Sequence, residues 1–212
     1  MQFRLTYEGP LKASGNNSRN TANKHEIRKA FHPQLKNLWT NNINLNALAH
    51  TSMDFMNNPL PMAPRSSETD SRVYINFLAE HYAVKEYKII PLVTERLALW
   101  CGLDILFLRI SPPGKVLSSG DIDNRIKTLF DALKRPSQLS DFGPEYVRPT
   151  GVEENPLFVL LEDDSLVAKL SVETDTMLEP LIGGIPQDTD ARLVITVTIR
   201  PFIATIFNTS LA

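Results

Sequence analysis

A dense apolar run over residues 103–110 stops at Ser111-Pro112-Pro113-Gly114, and a few residues later Ile122, Ile126, Leu129, Phe130 and Leu133 recur at helical spacing. The first pattern predicts a strand whose only charges are Asp104 and Arg109. The second predicts a single amphipathic helix over 122–134. Elsewhere strand signals follow one another without regular helices between them. Phe3, Leu5 and Tyr7 alternate with polar residues over 2–8, closed by Gly9-Pro10. Residues 87–93 form a run whose Pro91 suits an edge position. Residues 157–161, 165–172 and 193–202 read as three more strands, the last with strict alternation. Several strands and only one or two helices, without strand–helix alternation throughout, predict an α+β fold built on a mixed β-sheet.

The remaining segments are less regular. Residues 13–23, rich in Ser, Asn and Gly, read as a loop. From Lys24, Ile27, Ala30-Phe31, Leu35 and Leu38-Trp39 mark a helix that Pro33 is expected to break or restart. Residues 40–70 turn Asn-rich and then Pro/Ser-rich, which predicts an insertion with little regular structure. Residues 73–83 fit a short helix or a strand equally. Residues 136–156 read as a second long loop. The 212 residues are expected to form one domain with insertions near 40–70 and 135–156.

Apolar residues make up 42% of the chain and charged ones 22%, which excludes disorder as the starting assumption. The lone cysteine, Cys101, excludes an intrachain disulfide framework and sits in an apolar run, as a buried structural thiol would. No stretch approaches the roughly 20 apolar residues that span a bilayer, so a cytoplasmic protein is expected. Net charge is −2, yet residues 1–40 hold seven basic side chains against two acidic ones. That local excess makes Lys24, Arg28, Lys29 and Lys36 candidates for contact with nucleic-acid phosphates, with a solvated helix face as the alternative.

Two acidic clusters carry the chemistry. Asp121-Ile122-Asp123-Asn124 opens the strong helix, and Lys127 follows Asp123 by one turn, so the two project together. Glu162-Asp163-Asp164 interrupts the apolar passage from Leu157 to Leu170, where adjacent acids repel unless something positive compensates. Each cluster alone fits ordinary helix capping or a solvent-exposed turn. Together they supply the oxygen donors suited to Mg²⁺ or Mn²⁺, and the chain offers no Cys/His spacing that suits zinc.

The ordered pair of motifs, Asp121-x-Asp123-Asn124-x-x-Lys127-x-x-x-Asp131-Ala132-Leu133 and then Asp163-Asp164-Ser165-x-Val167, resembles the RusA-like Holliday junction resolvases, endonucleases of phages and bacteria. The resemblance is strongest over residues 99–175. It implies a RusA-like α+β fold and Mg²⁺-dependent cleavage of four-way or related branched DNA. By motif match it assigns Asp121, Asp123 and Asp164 to the metal, with Asp163 beside them, and Lys127 to catalysis. It also implies a twofold homodimer, since symmetric cutting needs two active sites. An inactive RusA-like DNA-binding or assembly protein is the alternative.

Overall fold

The computed structural model describes residues 1–14, 18–57, 59, 70–110, 121–143, 154–181 and 187–211, with backbone alone for Ser18, Arg19 and Asp121. It is a mixed α+β structure. The strands are β1 (Gln2–Pro10), β2 (Ile89–Val93), β3 (Leu99–Arg109), β4 (Leu157–Leu161), β5 (Val167–Thr176) and β6 (Asp190–Pro201). The helices are α1 (Ser18–Asn41), α2 (Ile43–Ala49), α3 (Met53–Asn57), α4 (Tyr74–His81) and α5 (Asp121–Leu133). Short 3₁₀ turns at Leu139–Phe142 and Asp164–Leu166 matter for the site.

Four strands form one sheet in the order β1-β6-β3-β5. β6 is antiparallel to both neighbours, and β3 and β5 run parallel. β2 and β4 form a separate parallel pair, with Pro91 opposite Val159. A two-stranded sheet has only edges, which is how β2 tolerates a residue without an N–H. In the larger sheet Leu5, Leu103, Ile105, Phe107, Leu193, Ile195 and Val197 alternate onto one buried face. The opposite face stays partly open, as the period-2 pattern requires. Cys101 is fully buried, and burial pushes its thiol up to about 12, so it is a core side chain with no nucleophilic character at neutral pH.

Helix α1 departs from expectation at both ends and in the middle. It starts at Ser18, inside the segment read as a loop, and runs unbroken through Pro33 to Asn41. Pro33 is exposed, while Ile27, Phe31, Leu35 and Trp39, four residues apart, are all buried. Packing of that stripe outweighs the one hydrogen bond that proline removes. Helices also occupy the first half of the 40–70 segment, where little regular structure was expected. Asn42 caps α2 by accepting from the N–H groups of Asn44 and Leu45, and Leu45, Leu48 and Ala49 bury its inner face. Residues 73–83 resolve as α4. The later part of the 40–70 insertion and much of 136–156 lie outside the described residues. Among those described, no helix is long and apolar enough to cross a membrane.

Candidate functional site

Helix α5 buries Ile122, Ile126, Leu129, Ala132 and Leu133 and turns the opposite side outward. On that outer side Lys127 Nζ lies 3.0 Å from Asp123 Oδ2, both side chains well exposed at 61% and 72%. The i,i+4 spacing therefore brings this pair together as the sequence suggests, at the strength of a surface ion pair, about 0.3–0.5 kcal/mol. One turn further on is Asp131, which binds Lys24 Nζ at 2.7 Å and Lys134 Nζ at 3.4 Å. Lys134 in turn reaches Asp164 Oδ2 at 3.2 Å. Burial works against the Lys134 ammonium, but the hydrogen bond and charge of Asp164, with the charge of Asp131, outweigh it and raise its pKa.

Asp164 thus joins the α5 ridge at its C-terminal end, at Asp131, about 12 Å along the helix axis from Asp123. The junction is fixed by main chain as well. The Arg135 N–H donates to Leu161 O, and Lys134 bridges Leu161 in parallel register, so the end of α5 is stitched to the end of β4. The three consecutive acids beyond β4 are each compensated differently. Glu162 accepts from the Glu95 N–H at 2.9 Å, and the Tyr82 hydroxyl bonds to it. Asp163 caps the 3₁₀ turn by accepting from the Ser165 N–H at 3.0 Å, and its bonds to Ser165 hold its carboxyl below the usual range. Asp164 has Lys134.

Behind the ridge lies a polar cavity of about 290 Å³ between α1, the end of α5 and the two 3₁₀ turns. Arg28 forms its floor. Its guanidinium is buried, 4% exposed, and donates to Asp131 O at 2.6 Å, Asp141 O at 2.7 Å and Lys134 O at 3.4 Å. Burial lowers its pKa to about 10 against the attraction of Asp141 and Asp131, so it remains a cation at neutral pH. The turn that presents the Asp141 carbonyl closes on Gly143, whose φ of +112° suits glycine.

These positions correct the expected basic face. Arg28 is a buried tie between three segments, its guanidinium committed to three main-chain carbonyls. Lys24 is engaged by Asp131 on the same side of the helix. Lys29, paired with Glu26 at 2.6 Å, and the exposed Lys36 lie on another stripe, turned about 110° away. The four bases therefore do not form one patch. Asp131 and Lys134 are the residues that sequence reasoning left without a role. Asp131 continues the 123–127 spacing by one more turn, a signal already present in the motif.

The donors are all carboxylate oxygens, the type a hard divalent cation takes. Among the described residues, however, no three His, Cys, Asp or Glu side chains gather closely enough to hold a metal ion. The side chain of Asp121 lies outside that description. No known family model, curated protein or solved structure matches the chain.

Proposed function

We propose that this chain is a divalent-cation-dependent endodeoxyribonuclease acting on branched DNA, with the outer ridge of α5 and the acids beyond β4 as its working surface. The observation that carries the proposal is the Asp131–Lys134–Asp164 bridge, which ties the second acidic motif to the helix bearing the first. Asp121, Asp123 and Asp164 are the carboxylates that would hold Mg²⁺ or Mn²⁺, whose chemistry there is to activate water and offset phosphate charge. The described carboxylates do not converge as placed, so no step is routed through the ion. Lys127 and Lys134 act as resident counter-ions for Asp123 and Asp164. Their pairs are partly or fully exposed and weak, about 0.2–1 kcal/mol each, so both ammonium groups can be drawn onto phosphate oxygens when DNA arrives.

One observation favours a second function. Every described acid of the two motifs already has a lysine or a main-chain donor, an arrangement that needs no cation. It suits a protein that retains the resolvase-like architecture for binding DNA or assembling on it.

Incubating the protein with labelled four-way junction, flap and linear duplex, with and without Mg²⁺ or Mn²⁺, separates the two. Cation-dependent cutting of branched substrates is expected, abolished in Asp123→Asn and Asp164→Asn while DNA binding persists. Binding without cutting under either cation establishes the second function instead. Undiminished cutting by both variants refutes the residue assignment.

A further inference from the structure

The alternation that buries Leu99, Cys101 and Ile199 turns Trp100 and Arg200 onto the open face of the four-stranded sheet, where the two stand directly opposite each other. That face is polarised along its strands. Next to Trp100 and Arg200 come Lys169, paired in register with Gly102, and Arg4, paired with Thr196 four residues before Arg200, about 14 Å along β6. At the far end stand Glu8, Glu173 and Asp175, with Arg192 held by Glu8 at 2.6 Å. Lys169 Nζ lies 2.6 Å from Asp104 Oδ1. Arg4 and Arg200 are exposed, and neither guanidinium has a carboxylate or carbonyl partner among the described residues. Of the two tryptophans, Trp39 is sealed in the core at 2% exposure, whereas Trp100 is partly exposed. Gly102, the next residue of β3 on this face, has no side chain to stand against the indole. Phe202, 53% exposed, follows Arg200 with its N–H on Ala98 O, so a second aromatic stands at the same end.

We infer that this end of the open sheet face binds a single-stranded nucleic acid, with Trp100 stacking on a base and Arg200 and Arg4 holding backbone phosphates. An exposed indole between unpaired cations matches what an unstacked strand presents, a π-face on every base and a charge on every phosphate. Charge complementarity chooses this occupant: two arginines without counter-ions beside the ring attract a polyanion, while the carboxylates of the far end keep it off that half of the face. A duplex hides the faces of its bases, so it can meet the arginines but cannot stack on Trp100. The site uses no residue of the two acidic motifs, and it stands whether or not DNA is cut.

The test titrates oligo(dT) and oligo(U) of about 12 nucleotides into the full chain without divalent cations, so that no strand is cut. Quenching of tryptophan fluorescence is expected, and from Trp100 alone, because Trp39 is buried. Trp100→Leu is expected to abolish the quenching and to raise Kd, read by anisotropy of the labelled oligomer, about tenfold. Arg4→Gln and Arg200→Gln, whose side chains hold nothing in the fold, should leave the far-UV spectrum unchanged. Each is expected to lower the slope of log affinity against log salt by about 0.7. The tighter of the two oligomers identifies the sugar that is recognised, and a duplex of the same length is expected not to quench. Failure of both oligomers to bind at low salt overturns the inference. So does binding that survives all three variants and is lost in Lys127→Gln or Lys134→Gln, a result that assigns the single strand to the α5 ridge.

Discussion

Replacing Arg28 tests whether α1 carries a structural tie or a DNA contact. Its guanidinium makes two short hydrogen bonds, to Asp131 O and Asp141 O, and one long one to Lys134 O. Two of these acceptors belong to the end of α5, whose last carbonyls have no partner within the helix. A hydrogen bond from a charged donor contributes about 1.5–3 kcal/mol, and bonds sharing one guanidinium do not add fully. Arg28→Ala also strands buried carbonyls, so the expected loss is about 3–4 kcal/mol, within the usual cost of breaking a buried charged tie. Arg28→Lys keeps the charge, but a single ammonium cannot span carbonyls on two segments, and about half of that loss is expected. Urea unfolding followed by far-UV circular dichroism reads both, as a fall in midpoint at constant slope. A loss below about 1 kcal/mol for Arg28→Ala refutes the tie, especially if the slope of log DNA affinity against log salt drops by about one at the same time.

Other outcomes follow from the same neighbourhood. His25 is largely buried, its Nδ1 has no hydrogen-bond partner among the described residues, and Glu154 at 3.9 Å lies beyond hydrogen-bond distance. Burial, then Arg28 and Lys29, lower its pKa to about 4. The unfolded chain takes up this proton near pH 6.5 and the folded chain only near 4. Stability from this group is therefore complete above pH 6.5 and falls by about 2–3 kcal/mol as pH drops to 4. Comparing urea midpoints of wild type and His25→Leu across pH 4–7 should show that part of the slope missing in the variant. Asp163→Ala removes the cap of the 3₁₀ turn and should cost about 0.5–2 kcal/mol in urea unfolding, with Asp163→Asn costing less.

The alternating strands β1 and β6 and the α5 stripe were legible because one buried face imposes a period that any neighbour preserves, whereas β3 was legible as a dense apolar run. Pairing was not legible. Residues 89–93 and 157–161 read like strands of the main sheet, and only their partners show that they form a sheet of their own. Pro33 was misleading for a different reason: a local rule met a longer buried stripe, and the stripe prevailed. Helix α2 was legible in part, since Asn42 before Leu45, Leu48 and Ala49 is a cap followed by helical spacing. Composition hid it. In the site, Asp123 and Lys127 follow from i,i+4 geometry alone, whereas the meeting of Asp164 with Lys134 depends on how the chain returns after a loop. Arg28 stands three and seven residues before Phe31 and Leu35, within their stripe, and that placement is what distinguishes a buried arginine from a surface one.

The position of β6 has a consequence for how the chain can be made. It lies between β1 and β3, and its register sets Gln2 against Thr198 and Leu103 against Val197. While the chain grows from a ribosome, β3 and β5 can zip together early, but β1 has no strand to join until residues 190–201 emerge. Closing so long a loop is slow, and the four-stranded sheet can form only after residues 190–201 have emerged. Until then the edges of β1 and β3 that β6 will pair with stay open to the wrong partners, which makes a chain stalled before residue 190 prone to aggregate.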